Sequence, residues 1–334
     1  MGFLNNRILA SVEFYHKVVS DLLNYKPLNA YQEITRVMAN VGKTQSTGVE
    51  LTINTKNIDS RNFKWSTDFT FTAYKDRWKE RTPDWKPGVY ERVDDPIRPI
   101  YTRLADHILQ IGEQVPDAQP LLRPGELVIK DINGYRRDAN KQPIVDENGR
   151  FVLTGEPDGL IDDADNVLLG SQDPSWLAGI TNTFKYKDFD LNIQLNGMFG
   201  RRMQDPTEMA YGLGGGDLAR YGYNALRKIK DRWTWDNPST TQPTSFNGWG
   251  NNYTSGDWYY QRAWFIRLTN ISFGWTLPKA WIARTKVLSR VRLSLSANNL
   301  FCITPYKGLD PETDYYAASY PNARTYSMGI NVTF

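Results

Sequence analysis

The sequence has 334 residues, of which 40% are hydrophobic, 13% aromatic and 23% charged, with a net charge of +3 at pH 7. Charges of both signs are interspersed, which argues against a basic surface for nucleic acid. The single cysteine, Cys302, excludes an internal disulfide, and the two histidines, His16 and His107, argue against a histidine-based zinc site or catalytic triad. No segment approaches the roughly 18 consecutive apolar residues of a membrane helix.

Alternation of apolar and polar residues predicts β-strands along most of the chain. The pattern of the strand predicted over 258–277 slips near Thr269, which predicts a β-bulge there. The closing segment 325–334 alternates to its last residue, Phe334. In chain order, the predicted strands are residues 7–16, 48–56, 63–73, 179–186, 188–199, 258–277, 290–297 and 326–334.

The lengths of these strands favour a membrane barrel. A strand of about ten residues rises roughly 33 Å, and a tilt of about 45° lets it cross the roughly 25 Å apolar band of an outer membrane. Long polar segments, 77–175 and 201–256, separate some strands, whereas other connections are short. We therefore predict an all-β, antiparallel transmembrane β-barrel portion of about nine strands with long extracellular loops. A soluble β-sandwich, with strands of typically about 5–6 residues, is the alternative.

The long loops carry two further predicted elements. Residues 217–233 have apolar side chains at helical spacing, and Asp217 can act as N-cap, so a short amphipathic helix that packs on the barrel rim is predicted. Residues 278–285 are predicted as a short helix or turn between two strands. Carboxylate pairs such as Asp94 and Asp95 do not by themselves indicate glycosidase chemistry, and no catalytic residue is predicted.

Several segments resemble the SusC/RagA family of TonB-linked outer-membrane transporters of Bacteroidetes. The resemblance includes the tail PNARTYSMGINVTF from Pro321 to Phe334. Its other segments, in chain order, are Gly48-Val49-Glu50-Leu51, Arg232-Trp233-Thr234 with Asn237-Pro238, Arg267-Leu268-Thr269-Asn270 before Leu277-Pro278, Asn298-Asn299-Leu300-Phe301, and Tyr306-Lys307-Gly308-Leu309-Asp310-Pro311-Glu312. Each segment is weak alone, but together and in one order they are specific.

The resemblance implies a non-enzymatic importer in the outer membrane, with a barrel of about 22 strands closed by an N-terminal plug. It implies uptake of oligosaccharides (glycans) or peptides, coupling to the TonB complex, and pairing with a SusD-like surface lipoprotein that acts as a lid. Residues 1–334 are then expected to be the C-terminal part of the barrel, without the plug domain or the N-terminal strands. The alternatives are a standalone small outer-membrane barrel and a secreted soluble β-protein that binds glycans.

The resemblance also implies an assembly role for the last strand. Its outward-facing residues would be recognised, in contact with outer-membrane lipid, by the machinery that inserts barrels. These residues are Tyr326, Met328, Ile330, Val332 and Phe334.

An interrupted acidic motif predicts a calcium loop. Asp131-Ile132-Asn133-Gly134 and residues 158–165, when joined, have the spacing D-x-N-G-D-G-x-I-D-x-x-D. The family often carries this motif without interruption. The insertion 135–157 keeps open the alternative of a solvated acidic loop with Asx-turns. The predicted Ca²⁺ ligands are the side chains of Asp131, Asn133 and Asp158, the carbonyl of Leu160, and Asp162 and Asp165.

Aromatic residues in the loops suggest a site for sugar rings. Trp249, Trp258 and Tyr260 are the candidate substrate-binding residues, because aromatic faces can stack on a sugar. Trp258 and Tyr260 lie near a strand start, where the interfacial aromatic girdle of a barrel is the competing explanation.

Overall fold

The computed structural model describes residues 2–28, 34–82, 85, 87–92, 94–147, 150–212, 222, 224–244, 256–313 and 320–334. Its strands are β1 (Gly2–Phe3), β2 (Ile8–Val19), β3 (Leu23–Pro27), β4 (Arg36–Asn40), β5 (Lys43–Asp59), β6 (Phe63–Glu80), β7 (Pro99–Thr102), β8 (Ala105–Ile108), β9 (Leu127–Ile129), β10 (Val167–Ser171), β11 (Trp176–Tyr186), β12 (Phe189–Phe199), β13 (Arg202–Gln204), β14 (Tyr260–Arg262), β15 (Phe265–Thr276), β16 (Arg290–Asn298), β17 (Cys302–Ile303) and β18 (Thr325–Thr333).

One large antiparallel sheet contains the long strands. Its order is β1-β2-β5-β6-β11-β12-β15-β16-β18, and β17 pairs with the upper part of β15. Neighbouring long strands are also neighbours in the chain, apart from the small strands between them, so the sheet is an up-and-down meander. This arrangement confirms the predicted fold class, and all eight predicted strands are present.

Strands β5 and β6 are longer than predicted. They have 17 and 18 residues and pair from Lys43 with Glu80 to Asp59 with Lys64. The sequence pattern ended earlier because 43–46 and 75–80 are largely polar on both faces. Polar residues on both faces are compatible with a strand that continues beyond an apolar layer into water.

The predicted bulge at Thr269 is confirmed. Gln194 of β12 pairs with Asn270 and Leu195 pairs with Leu268, so Thr269 is the extra residue. The Thr269 carbonyl instead accepts a hydrogen bond from the Asn299 amide at 3.2 Å. The predicted strand 258–277 is divided, because β14 ends at Arg262 and β15 begins at Phe265.

The connections differ sharply between the two ends of the sheet. At one end, residues 4–7, 60–62, 187–188 and 277–289 make short links. At the other end, residues 20–42, 81–175, 200–264 and 299–324 connect the strands. The long connections contain four two-stranded sheets, which pair β3 with β4, β7 with β10, β8 with β9, and β13 with β14.

The helices are short. Within the described ranges, the α-helices are α1 (Pro206–Tyr211) and α2 (Lys279–Ile282), and 3₁₀ turns occur at Asp163–Asp165, Arg227–Asp231, Asp257–Tyr259 and Ala283–Thr285. The prediction of helix at 278–285 is confirmed by α2 and the turn after it. None of the described helices is long and apolar enough to cross a membrane.

The amphipathic helix predicted over 217–233 differs from the structure where the two can be compared. Asp217 lies outside the described residues. In the described part, 222 and 224–233, the helical segment is the 3₁₀ turn Arg227–Asp231. Trp233 follows that turn and is buried. In the described part of this segment, Trp233 enters the loop core, and the turn before it has no buried residue.

Candidate functional site: two sheet faces and the loops above them

One face of the large sheet is apolar across its width. A single cross-strand row contains Ile58, Trp65, Phe184, Leu191, Phe273, Leu295 and Met328, one residue from each of seven strands. Leu295 is 54% exposed and Met328 is 77% exposed. A continuous exposed apolar surface of this kind is typical of a wall that contacts lipid.

Two bands of aromatic residues mark the limits of this apolar face. Near the long loops, Trp176 stacks on Phe199 with ring centroids 3.7 Å apart, and Phe199 stacks on Trp264 at 6.1 Å. Near the short turns lie Tyr186 and the stacked pair of Phe189 and Trp275. Trp176 and Tyr186 are the first and last residues of β11, so they are separated by roughly 33 Å along the strand and roughly 23 Å in depth at a 45° tilt. That depth matches the apolar band of an outer membrane.

The opposite face of the sheet is polar. One row across it contains Asn54, Asp68, Thr181, Gln194, Asn270, Asn298 and Thr325. Its members hydrogen-bond across strands: Asn54 donates to Asp68 at 2.6 Å, Asn270 to Asn298 at 2.7 Å, and Asn298 to Thr325 at 3.0 Å. These cross-strand hydrogen bonds connect the polar side chains into one polar surface.

An ion pair crosses the polar face above a glycine. Arg292 of β16 donates from Nη2 to Asp190 Oδ2 of β12 at 2.8 Å, although β15 lies between the two strands. A Cβ atom on Gly274 of β15 would collide with the Arg292 guanidinium and lie 2.7 Å from Asp190 Oδ1. Glycine at 274 therefore provides the space that lets the two charges meet.

The long loops have a core of their own. Buried side chains from three separate loop segments meet above the sheet: Ile108, Leu127, Ile129, Trp233 and Tyr259. Ala105, Ile161 and Trp258 pack against them. A second, smaller cluster contains Met203, Ala263 and Tyr306. Neither cluster is predicted from the sequence, in which these segments are long polar connections.

Gln110 links two of the long loops. Its Oε1 accepts a hydrogen bond from Trp233 Nε1 at 3.2 Å, and its Nε2 donates to the carbonyls of Ile108 at 2.7 Å and Ser239 at 3.3 Å. Because Trp233 and Gln110 are 123 positions apart, neither local sequence indicates the contact.

A titratable cluster lies next to Gln110. His107 contacts Asp106 through Nδ1 at 2.9 Å and Glu113 through Nε2 at 2.6 Å. Burial alone would lower the pKa of His107, but the two carboxylates outweigh it and raise that pKa above 6.5. The hydrogen bond from His107 lowers the pKa of Asp106, and the Gln110 amide, followed by His107, lowers that of Glu113.

A buried ion pair fixes the loop before the last strand. Arg267 Nη2 donates to Asp310 Oδ1 at 2.5 Å, and both side chains are about 5% exposed. Arg267 Nε lies 3.1 Å from Glu312 Oε2. Asp310 also accepts the backbone amides of Glu312 and Asn322, at 2.9 and 3.1 Å. Asp310, Glu312 and Asn322 are thereby held against the top of β15.

The two halves of the predicted calcium motif meet in the structure. Asp131 accepts the amides of Asp158 at 3.2 Å and Gly159 at 2.7 Å, and a Cβ on Gly134 would lie 2.5 Å from the Asp158 Cβ. The insertion is a hairpin-like excursion, with isolated bridges from Tyr135 to Leu153 and from Val145 to Phe151.

The five predicted side-chain ligands accept hydrogen bonds within the loop itself. Asp165, fully buried, accepts the amides of Ile132, Asn133 and Asp162. Asn133, Asp158 and Asp162 accept the amides of Gly155, Leu160 and Ala164, respectively. Across the described part of the chain, no group of three or more His, Cys, Asp or Glu side chains is placed to hold a metal ion. The donor types suit calcium, and the calcium site stays a prediction.

Two of the three predicted sugar-stacking residues lie in the described part of the chain, and their role stays a prediction. Trp258 packs against the loop core, and Tyr260 of β14 pairs with Gln204 of β13. Trp249 lies outside the described residues. Trp264 belongs to the aromatic band at the top of the apolar face.

The proposed assembly residues form the outer face of β18. Tyr326 is 72% and Ile330 62% exposed, and Phe334 follows at the end. All five alternate with Ser327, Gly329, Asn331 and Thr333, as predicted. Their role in assembly stays a prediction.

No family model matches the chain. It is 28% identical over 360 residues to the TonB-dependent receptor P3 of Formosa agariphila and 26% identical over 354 residues to the TonB-dependent receptor SusC of Bacteroides thetaiotaomicron. Both alignments cover 100% of this chain, but only 33% and 31% of the relatives. The fold matches a structure of the RagAB peptide transporter with a TM-score of 0.75 and 21% identity, over 100% of this chain and 34% of that one.

The chain is related to the SusC/RagA-type TonB-dependent receptors and matches their C-terminal third. It spans about a third of the length of these relatives. The relationship confirms the predicted outer-membrane location. These relatives are described as receptors and as a transporter, which agrees with the prediction that the chain has no enzymatic role. The large open sheet matches part of a barrel of this type.

Proposed function

We propose that residues 1–334 form the C-terminal part of the barrel wall, and the mouth above it, of a TonB-driven importer of oligosaccharides or peptides. The observation that carries this proposal is the two-faced sheet. Its apolar face has aromatic bands separated by the depth of an outer membrane, and its other face carries polar rows and an ion pair. A wall of this kind can separate lipid from a hydrated passage.

The polar face is the surface that a substrate would pass. Asn192, Gln194, Arg292 and Ser294 all lie on it. Their amides, hydroxyls and charges can replace the hydrogen bonds that water makes with a sugar or a peptide backbone. The related RagAB structure is described as a peptide transporter, which supports peptides as one substrate class to test beside oligosaccharides.

Two adjacent residues on opposite faces provide the test. Gln194 faces the polar side and Leu195 the apolar side. In the receptor that contains this chain, Gln194→Trp narrows the passage, whereas Leu195→Trp adds an aromatic side chain toward lipid. We expect Gln194→Trp to lower uptake of labelled oligosaccharides or peptides, while Leu195→Trp preserves it. Receptor abundance in isolated outer membranes is measured for both. Equal uptake by the two variants at equal abundance would refute the assignment of the faces.

We also propose that a SusD-like surface lipoprotein covers the long-loop end and that the TonB complex supplies energy. The long connections at one end of the sheet, with their own packed core, support a partner surface there. Copurification of a surface lipoprotein with the tagged receptor tests the first part. Loss of uptake in cells without TonB, at unchanged receptor level, tests the second.

Calcium binding by the acidic loop is a second proposal. The closure of the two motif halves around Gly134 supports it, since both halves present oxygen donors in the order that the motif requires. Asp131, Asn133, Asp158, Asp162, Asp165 and the Leu160 carbonyl would hold the ion and stiffen the loop. Terbium luminescence of the receptor should rise on Tb³⁺ addition and fall with excess Ca²⁺. An unchanged signal in Asp131→Asn/Asp158→Asn would sink the proposal.

The last strand is proposed to act as the assembly signal. Deletion of Phe334 removes an 80% exposed aromatic residue and should lower the amount of heat-modifiable barrel in the outer membrane. Ser327→Ala, on the other face of β18, is the control. Normal barrel levels after the deletion would count against the role.

A further inference from the structure

A group of four polar side chains interrupts the apolar face of the sheet. Thr55, Asn57, Thr67 and Asn182 lie side by side among apolar residues, in the row next to that of Trp65 and Phe184. A bulge between Lys56 and Ile58 places Asn57 in this group. Polar side chains on a lipid-facing wall are costly unless their hydrogen bonds are made, so their partners matter.

The four side chains form a hydrogen-bonded chain that ends in an amide. Thr55 donates to Asn57 Oδ1 at 2.9 Å, Asn57 Nδ2 donates to Thr67 Oγ1 at 2.7 Å, and Thr67 donates to Asn182 Oδ1 at 2.7 Å. Trp65 Nε1 also donates to Asn182 Oδ1, at 2.9 Å. An indole N–H can only donate, and this fixes which end of the Asn182 amide is the oxygen.

The Asn182 amide nitrogen is left without a partner in the described part of the chain. It offers two N–H donors on the outer side of the wall. Because Oδ1 is occupied by two donors, rotation of the amide cannot hide the NH₂ group. The position therefore calls for an acceptor from outside the chain, one that can enter an apolar layer.

On the same face, a cation lies closer to the short turns than this donor does. Lys187 Nζ is 5.4 Å from the centre of the Tyr186 ring, and Tyr186 is in the aromatic band near the short turns. Asn182 is four positions from Tyr186 on β11, which corresponds to roughly 13 Å along the strand and roughly 9 Å in depth at a 45° tilt. The polar layer on each side of a bilayer is roughly 6 Å thick. Asn182 therefore lies close to the boundary between this polar layer and the hydrocarbon core.

An apolar platform and groove begin beside the donor. Trp65 and Phe184 stack with centroids 5.6 Å apart and planes 21° apart. Phe184 pairs with Leu191, which lies at the edge of a shallow groove of about 420 Å³. The groove is lined by Leu191, Ile271, Phe273, Leu295, Tyr326 and Met328.

We propose that this surface is a binding site for one glycerophospholipid of the leaflet at the short-turn end. Its phosphate contacts Lys187, an ester carbonyl accepts from the Asn182 amide, and an acyl chain lies on the platform of Trp65 and Phe184 and in the groove. A phospholipid has an anion, acceptor-only ester oxygens and a chain in this order of depth. From the short-turn end inward, the wall presents the cation, the amide donor and the apolar groove in the same order.

The test uses the delipidated receptor in detergent, titrated with deuterated phosphatidylethanolamine, with bound lipid counted by mass spectrometry. Asn182→Leu removes the donor, and Lys187→Asn removes the charge. Asparagine suits position 187 because the backbone φ there is +50°. Each substitution should weaken binding about fivefold, the effect of one lost hydrogen bond or ionic contact.

Controls separate this site from general detergent or lipid contact. Asn192→Leu makes the same change on the polar face and should leave lipid binding unchanged. Monoolein, which has an ester but no phosphate, should respond to Asn182→Leu and not to Lys187→Asn. Lys187→Asn retains the Asn182 network, so it tests the site even if Asn182→Leu impairs folding. Unchanged binding in Lys187→Asn, or displacement of the lipid by millimolar inorganic phosphate alone, would overturn the proposal.

Discussion

The large sheet and the loops above it place their apolar side chains in opposite locations. In the sheet, large residues such as Phe14, Met328 and Ile330 point outward and are more than half exposed. In the loops, Ile108, Leu127 and Trp233 point inward and are almost fully buried. The loops therefore resemble a soluble domain, whose stability comes from a packed core. The sheet resembles a wall whose apolar surface needs a lipid environment.

This difference implies two kinds of sensitivity to mutation. In the loops, side-chain truncation should create cavities or unpaired buried groups and loosen the local structure. In the sheet, backbone pairing is continuous over all long strands, so changes on the faces should affect transport or lipid contact more than folding. The following predictions test that contrast in order of expected size.

The largest effect is expected from Trp233→Ala. Trp233 is 3% exposed in the loop core and donates to Gln110, so truncation leaves a cavity and removes that link. The loss should be about 4 kcal/mol of loop stability, seen as faster limited proteolysis between 105 and 260 while the barrel stays heat-modifiable. Trp235→Ala is the matched control, because Trp235 contacts Trp233 edge-on but is 69% exposed. Equal rates of proteolysis in the two variants would show that the burial of Trp233 does not determine its contribution to loop stability.

Arg267→Met should come next. Removing one member of a buried ion pair leaves Asp310 uncompensated, at a cost of about 3 kcal/mol. The loop 299–324 should detach from β15, which hydrogen exchange of the Glu312 and Asn322 amides would detect. Arg98→Met is the control: its partner Asp173 is paired at the surface, where such contacts contribute at most about 1 kcal/mol. If the two substitutions had similar effects, burial would not be what distinguishes the pairs.

The contrast between regions also separates what the sequence predicted from what it missed. The strands follow a period of two within one segment, so residues such as Phe63, Trp65 and Phe69 indicate their own structure. The bulge at Thr269 was visible for the same reason, as a local change of phase. The loop core depends on contacts such as Trp233 with Gln110, 123 positions apart, and no local period carries that information.

Other features are indicated only in part by their local sequence. Helix α1 has a local capping signal: Asp205 accepts the Glu208 amide at 3.0 Å, and Pro206 is the first residue of the helix. The acidic motif was predicted from residue order alone, and the structure brings its halves together around Gly134. The apolar pattern before Trp233 predicts a helix, whereas its described part contains the 3₁₀ turn Arg227–Asp231, and Trp233 alone among the residues from 224 to 233 joins the loop core.

Gly274→Ala should have a smaller effect, on the polar face. The new methyl group would displace the Arg292 side chain and break its contact with Asp190. Because both partners are about one-third exposed or less but hydrated, the stability loss should be at most about 1 kcal/mol. A double-mutant cycle with Arg292→Gln measures the coupling: once Arg292 is replaced, Gly274→Ala should cost little more. Additive losses would show that the glycine matters for the backbone rather than for the ion pair.

The smallest expected effect concerns pH and the loop around His107. Its pKa is raised above 6.5 by Asp106 and Glu113, so its stabilising contribution is complete below that value and is lost as pH rises through the folded-state pKa. Protection of the 105–130 amides from exchange should therefore be lower at pH 8 than at pH 6, after correction for the intrinsic exchange rate. His107→Gln should abolish the difference, whereas His16→Gln, on β2, should retain it. A pH response that persists in His107→Gln would place the titrating group elsewhere in the loops. Because His107 is partly exposed and Gln110 is held independently by Trp233, the response should stay local to this loop and leave the sheet unchanged.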